Sequence, residues 1–125
     1  MTCMFASSGI EIYGDISSWN VSNVKNMTSM FYKCDKITSL DLSSWNTEKL
    51  QDCPQMFYMC HNLTSVGDLS GWKADHIVSI RSMFYECENL KDIGDINNWN
   101  ITKYSDMIYA FKESGITNIP SWYRK

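Results

Sequence analysis

The chain lacks most of what would assign it a chemistry. No apolar run approaches the length of a membrane span, and the first eight residues, Met1-Thr-Cys-Met-Phe-Ala-Ser-Ser8, have neither the basic start nor the apolar stretch of a secretory leader. There is no Cys-x-x-Cys or Cys/His ligand pair and no glycine-rich phosphate loop, so neither a zinc site nor a nucleotide cofactor is expected. Proline occurs twice and histidine twice in 125 residues, and no Gly/Ser-rich linker or charge run divides them. A formal net charge of −3 gives no basic stripe for nucleic acid. Taken as given, the chain is expected to be cytoplasmic, or at the cell surface if it is a fragment of a longer exported protein.

What is present is a lattice. With 44% hydrophobic and 14% aromatic residues, the chain can bury a continuous core. The five phenylalanines fall at 5, 31, 57, 84 and 111, a step of 26 or 27 residues, and Trp19, Trp45, Trp72 and Trp99 keep the same beat before Trp122 closes early. Met-Phe-x-x-Cys recurs at 30–34, 56–60 and 83–87, with degenerate copies at Met4-Phe5…Ser8 and Ala110-Phe111…Ser114. A fixed period of this size is the mark of a solenoid in which each unit buries its apolar face against the next. Residues 1–125 therefore read as a single domain of about four and a half repeats.

Two internal periods suggest two halves. Leu40-Asp41-Leu42 alternates like a short strand, and its counterparts carry an extra Gly67 or Gly94 beside the Asp, as a bulge would. Val24, Met27, Met30, Phe31 and Cys34 follow three-four spacing, as on one helix face. Asn26, Asp52, Ser79 and Asp106 stand where N-caps would, and Pro54 fits a first helical turn. The expected class is α/β, with parallel strands on one face and short helices on the other. Cys34, Cys60 and Cys87 share one position with Ser8 and Ser114, which suggests reduced, buried thiols rather than a disulfide frame. His61 and His76 lie in different phases of the repeat with no nucleophile beside them, so no enzyme activity is expected.

The strings Leu40-Asp-Leu-Ser-Ser-Trp-Asn-Thr47, Trp19-Asn-Val-Ser-Asn-Val-Lys-Asn-Met27 and Met30-Phe-Tyr-Lys-Cys34 resemble the BspA-like leucine-rich repeat family. That family occurs in bacterial surface proteins and lipoproteins and in some protist and phage proteins. The resemblance implies a leucine-rich-repeat solenoid and a role in adhesion or protein binding.

Two outward columns are the candidate partner-binding surfaces. Asp15, Asp41, Asp68 and Asp95 form an acidic column, which could meet a basic partner or could accept backbone N–H groups where the chain turns. Tyr32, Tyr58 and Tyr85 form an aromatic one, of the residue type favoured at interfaces. The strand face carrying the aspartates is the favoured one. The expected function is non-enzymatic recognition of another protein, in the form of a phage- or mobile-element-encoded binder or inhibitor. The alternatives are a fragment of an exported adhesin for host protein or glycan, and a structural component tiling end to end through uncapped ends.

Overall fold

A computed structural model of the chain describes Met4 and residues 15–124. Phe5 and Ser8 of the degenerate first repeat lie outside the described residues. Within them the chain forms a stack of parallel coils, and Phe31, Phe57, Phe84 and Phe111 line its interior with ring centroids 5.5 to 5.7 Å apart. Neighbouring rings are within 16° of parallel, an offset arrangement that adds roughly 0.5–1.5 kcal/mol per pair beyond simple burial. Leu42, Leu50, Leu63, Leu69 and the Met30/Met56/Met83 column complete a dry core.

The coils are not built from helices and strands, which corrects the α/β expectation. Among the described residues the only helical element is a single 3₁₀ turn, Leu69–Gly71, and pairing between coils appears only as isolated parallel bridges. The expected helices at 27–34, 53–60, 80–87 and 107–114 are pairs of tight turns. In the first, Met30 N–H donates to Met27 C=O and Cys34 N–H to Phe31 C=O, and the third residue of each turn, Ser29 or Lys33, has a positive φ. A positive φ at that place is what a type II turn demands. The same pair of left-handed residues recurs at Gln55 and Met59, Ser82 and Glu86, and Tyr109 and Glu113, none of them glycine.

The reason lies in the fate of the alternate N–H groups. Those of Met27, Ser29, Phe31 and Lys33 cross to Asp52, Pro54, Met56 and Tyr58 of the next coil at 2.7 to 3.0 Å. Cys53, Gln55, Phe57 and Met59 repeat the pattern onto the third coil, as do Ile80, Ser82, Phe84 and Glu86 onto the fourth. A two-turn helix would turn its N–H groups onto its own carbonyls, leave its ends orphaned and bind its neighbours by side chains alone. The turned form costs about 1–2 kcal/mol for each left-handed non-glycine residue. Twelve cross-coil bonds, at a net of about 1 kcal/mol each, offset the six left-handed residues of the three donating coils.

The expected strands fail for a different reason. Ser39 and Ser65 form one parallel bridge, and Leu40 N–H reaches Ser65 C=O at 2.9 Å. Two residues on, Leu42 N–H bonds Val66 C=O, so the Gly67-Asp68 pair is looped out of the pairing. Leu69 N–H bonding Ile93 C=O loops out Gly94-Asp95 in the same way. A turn then closes immediately, with Trp45, Trp72 and Trp99 N–H donating to Leu42, Leu69 and Ile96 C=O. The strand is cut to a single bridge because a bulge and a turn follow it at once.

Each indole then locks two coils together. Nε1–H of Trp45, Trp72, Trp99 and Trp122 donates to the carbonyls of Ile16, Leu42, Leu69 and Ile96 in the preceding coil, at 2.9 to 3.0 Å. The last coil is partly covered by the chain itself. Tyr123 packs edge-on against Phe111 at 4.9 Å and Trp122 stacks on Trp99, so Phe111 stays buried.

The left-handed residues give a test with a decisive sign. Lys33 is exposed with a φ of 54°, so Lys33→Gly is expected to stabilise the fold by about 0.5–1 kcal/mol in a urea titration. In a helix the same change would destabilise by about as much.

Candidate functional site

The acidic column holds the turns together. Asp41 Oδ1 accepts from Ser43 N–H at 3.1 Å and from Ser43 Oγ–H at 2.6 Å. Asp15 does the same with Ser17, Asp68 accepts from Ser70 N–H, and Asp95 accepts both N–H and the side-chain amide of Asn97. Hydrogen bonding holds all four carboxyls below the usual carboxylate range, led by the partner side chain at Asp15 and Asp41 and by the backbone N–H at Asp68 and Asp95. Their contribution to stability is thus present at neutral pH and lost as the pH falls through those lowered values.

The Oδ1 oxygens of Asp41 and Asp68 are wedged beneath the next coil. A Cβ on Gly67 would lie 2.5 Å from Asp41 Oδ1, and one on Gly94 would lie 1.9 Å from Asp68 Oδ1. Both glycines have φ above +80°, so backbone and contact each require glycine here. The carboxylates remain exposed at their outer edge, yet each is committed to its turn, and Asp41 and Asp68 also to the register of the next coil.

The tyrosine column is organised differently. Tyr32, Tyr58 and Tyr85 stack face to face, with centroids 4.8 and 4.9 Å apart and planes within 8° of parallel. All three are half-buried. The stack continues to Tyr109 at 6.3 Å, tilted by 48°. Tyr109 occupies the place of Ser29, Gln55 and Ser82 in the repeat, so counting repeat positions does not find it. Lysines close both ends, Lys33 Nζ 5.5 Å from the Tyr32 ring and Lys112 Nζ 4.5 Å from that of Tyr109. Burial and the adjacent Glu86 push the Tyr85 phenol up.

The thiols are built into the core. Cys60 and Cys87 Sγ–H donate to Phe31 and Phe57 C=O of the preceding coil at 2.9 Å. Cys34, Cys53, Cys60 and Cys87 are all free and buried. Burial pushes the Cys53 and Cys87 thiols up to about 12, and Cys60 is also raised. His61 lies between Asp35 at 3.7 Å and Glu86 at 3.5 Å, bridging three coils rather than facing a nucleophile. Among the described residues no three His, Cys, Asp or Glu side chains gather as a metal-binding group, and no helix is long and apolar enough to cross a membrane.

The repeat also uses residues that no motif singled out. Asn62 and Asn89 amides donate to the Asp35 and His61 carbonyls one coil back, and Asn98 to Ser70 C=O. Thr47, fully buried, accepts from Lys73 N–H and donates to Lys73 C=O.

A family model described as "Mycoplasma protein of unknown function, DUF285" matches residues 1–122. The chain belongs to that family. This DUF285 chain also superposes on a leucine-rich repeat protein from Eubacterium ventriosum ATCC 27560, with 22% identity and a TM-score of 0.49 over 82% of its own length. It spans 25% of that protein, and the likeness is too loose to bear on fold or role. No curated protein sequence matches the chain. What is established is a DUF285 repeat protein in which the aspartates are tied to turns and the tyrosines form a continuous half-exposed stack.

Two outcomes are expected of this DUF285 repeat. Gly94→Ala should destabilise by about 1–3 kcal/mol, and adding Asp68→Ala should recover part of that loss in a double-mutant cycle, because the wedge is pairwise. The thiols' contribution should leave stability level from neutral pH up to about pH 8.5, the ordinary thiol value, and lower it above that by about 1.4 kcal/mol per pH unit for each raised thiol. The sign follows because the unfolded chain releases those protons first. A pH series of urea midpoints checks it, with Cys87→Ala giving the shallower slope.

Proposed function

We propose that this protein is a non-enzymatic protein-binding module that recognises its partner through the tyrosine stack. The observation that carries the reading is the four-ring stripe closed at each end by a lysine. Rigid aromatic surface costs little ordering entropy on binding, and tyrosine is a frequent energetic anchor of interfaces. The chemistry suits a partner with an apolar or aromatic patch flanked by carboxylates. Steric occupation of that partner needs no chemistry from this chain, and among the described residues the thiols of Cys53, Cys60 and Cys87 are buried and held protonated.

The resemblance to BspA-like repeats, which occur on bacterial surfaces, supports an adhesive form of this reading. An inhibitor encoded by a phage or mobile element would use the same face. The acidic column is the weaker candidate, since Asp41, Asp68 and Asp95 are committed to Ser43, Ser70 and Asn97.

The test compares two triple variants against a partner recovered by cross-linking to the tagged chain. Tyr32/Tyr58/Tyr85→Ser should abolish capture, and Asp41/Asp68/Asp95→Asn, which keeps an acceptor at each turn, should leave it intact with little dependence on salt. Capture lost in the Asp set and kept in the Tyr set, with both folded by thermal melt, would reject the tyrosine face.

A further inference from the structure

A second outward column runs beside the tyrosines. Lys33, Met59, Glu86 and Glu113 hold the second left-handed position of successive coils. The ladder fixes their register, with Lys33, Met59 and Glu86 N–H donating to Tyr58, Tyr85 and Lys112 C=O. Lys33 and Glu113 are exposed and Met59 and Glu86 half-buried, so the column lies at the surface next to the stack. It is positive at one end, neutral at Met59 and negative at the other end. The tyrosine column is polarised too, because Lys112 takes its fourth place. Among the described residues the ion pairs are those of His61 with Asp35 and Glu86 and of Arg81 with Asp106, and neither Lys33 nor Glu113 belongs to one.

Resting on the tyrosine reading, we propose that the partner this face fits is a second copy of the chain, laid side by side with its stack running the opposite way. A twofold axis between the second and third coils brings Tyr58 against Tyr85 of the second copy at the centre. At either end Lys33 meets Glu113, and Tyr32 meets Lys112, an ammonium against an aromatic ring. Met59 meets Glu86, which stands beside His61 of its own chain. Both copies share one coil spacing, 4.8 to 4.9 Å between tyrosine rings, so the four described coils match at once. The exposed Ile108 and Tyr109 sit on the same turns and lose water in the join.

The charges choose the direction. Side by side in the same direction, Lys33 would face Lys33, Lys112 would face Lys112 and Glu113 would face Glu113, and like charges in contact cost affinity. A face that is positive at one end and negative at the other becomes its own complement when reversed. That self-complementarity is what an isologous contact requires, and such a contact closes on itself, so assembly stops at two copies.

The experiment is sedimentation equilibrium of the 125-residue chain at low salt, over concentrations up to about 1 mM so that even a weak contact is populated. The mean mass is expected to rise toward twice the monomer mass and to stop there. Lys33→Glu and Glu113→Lys each place two like-charge pairs in the join and should weaken the dimer by about tenfold. The fold accepts either residue at this position, since Lys33, Glu86 and Glu113 share the same left-handed backbone, and a thermal melt checks that each variant folds. Mixing the two variants restores an opposite-charge pair at both ends, so the mixture should dimerise about as tightly as the parent. A monomer at every concentration, a mass that grows past the dimer, a dimer that neither reversal weakens, or a mixture no tighter than its separate components would each overturn the proposal. None of these results bears on capture of a different protein by the tyrosines, which the two triple variants decide separately.

Discussion

The hydrogen bonds that run from alternate N–H groups of one coil to the carbonyls of the next organise everything else in this protein. They require the peptide planes at 27–33, 53–59 and 80–86 to face along the stack at every second residue, which a helix, with its N–H groups bonded along its own axis, cannot do. The chain meets the demand with paired tight turns and accepts left-handed residues that are not glycine. Once the coils are in register, the Phe rings stack, the indoles reach back to carbonyls, and the tyrosines fall face to face.

The register of this ladder was legible in the amino-acid sequence, because stacking places like residues over like. Phe31, Phe57, Phe84 and Phe111 and Trp45, Trp72 and Trp99 lie in the interior where their spacing put them, Trp19 and Trp122 are partly buried, and Cys34, Cys60 and Cys87 are buried and free. The local conformation was not legible in the same way. Two consecutive turns of four residues point Met27, Met30, Phe31 and Cys34 inward, and that spacing is indistinguishable from one helix face. Pro54 held the clue. Proline suits the first turn of a helix, but it equally suits the second position of a type II turn, followed here by Gln55 at positive φ. Asn26 and Asp106 do accept the N–H two residues on, as caps would, but they close turns that no helix continues.

The surface columns show the same division. The aspartates and their glycines were visible as a pattern, and the Gly67 and Gly94 bulges are present, but the wedge of each carboxylate under the next coil depends on stacking that no single repeat contains. Tyr109 joins the tyrosine stack from a different repeat position, and Tyr104 leaves its core column because a turn slips by one residue. Both departures fall in the last described coil. Polar positions on the outside of a repeat are free to vary, so the structure rather than the pattern decides which of them form a surface.

Residue-resolved amide hydrogen exchange on the 125-residue chain tests the ladder most directly. Cross-coil donors such as Gln55, Phe57 and Met59 should be protected to the same degree as the within-coil donors Tyr58 and Cys60, because the two sets open together. Met107, Tyr109, Phe111 and Glu113 should exchange freely. Protection confined to the within-coil donors, with Phe57 and Met59 exchanging as fast as Phe111, would contradict the account.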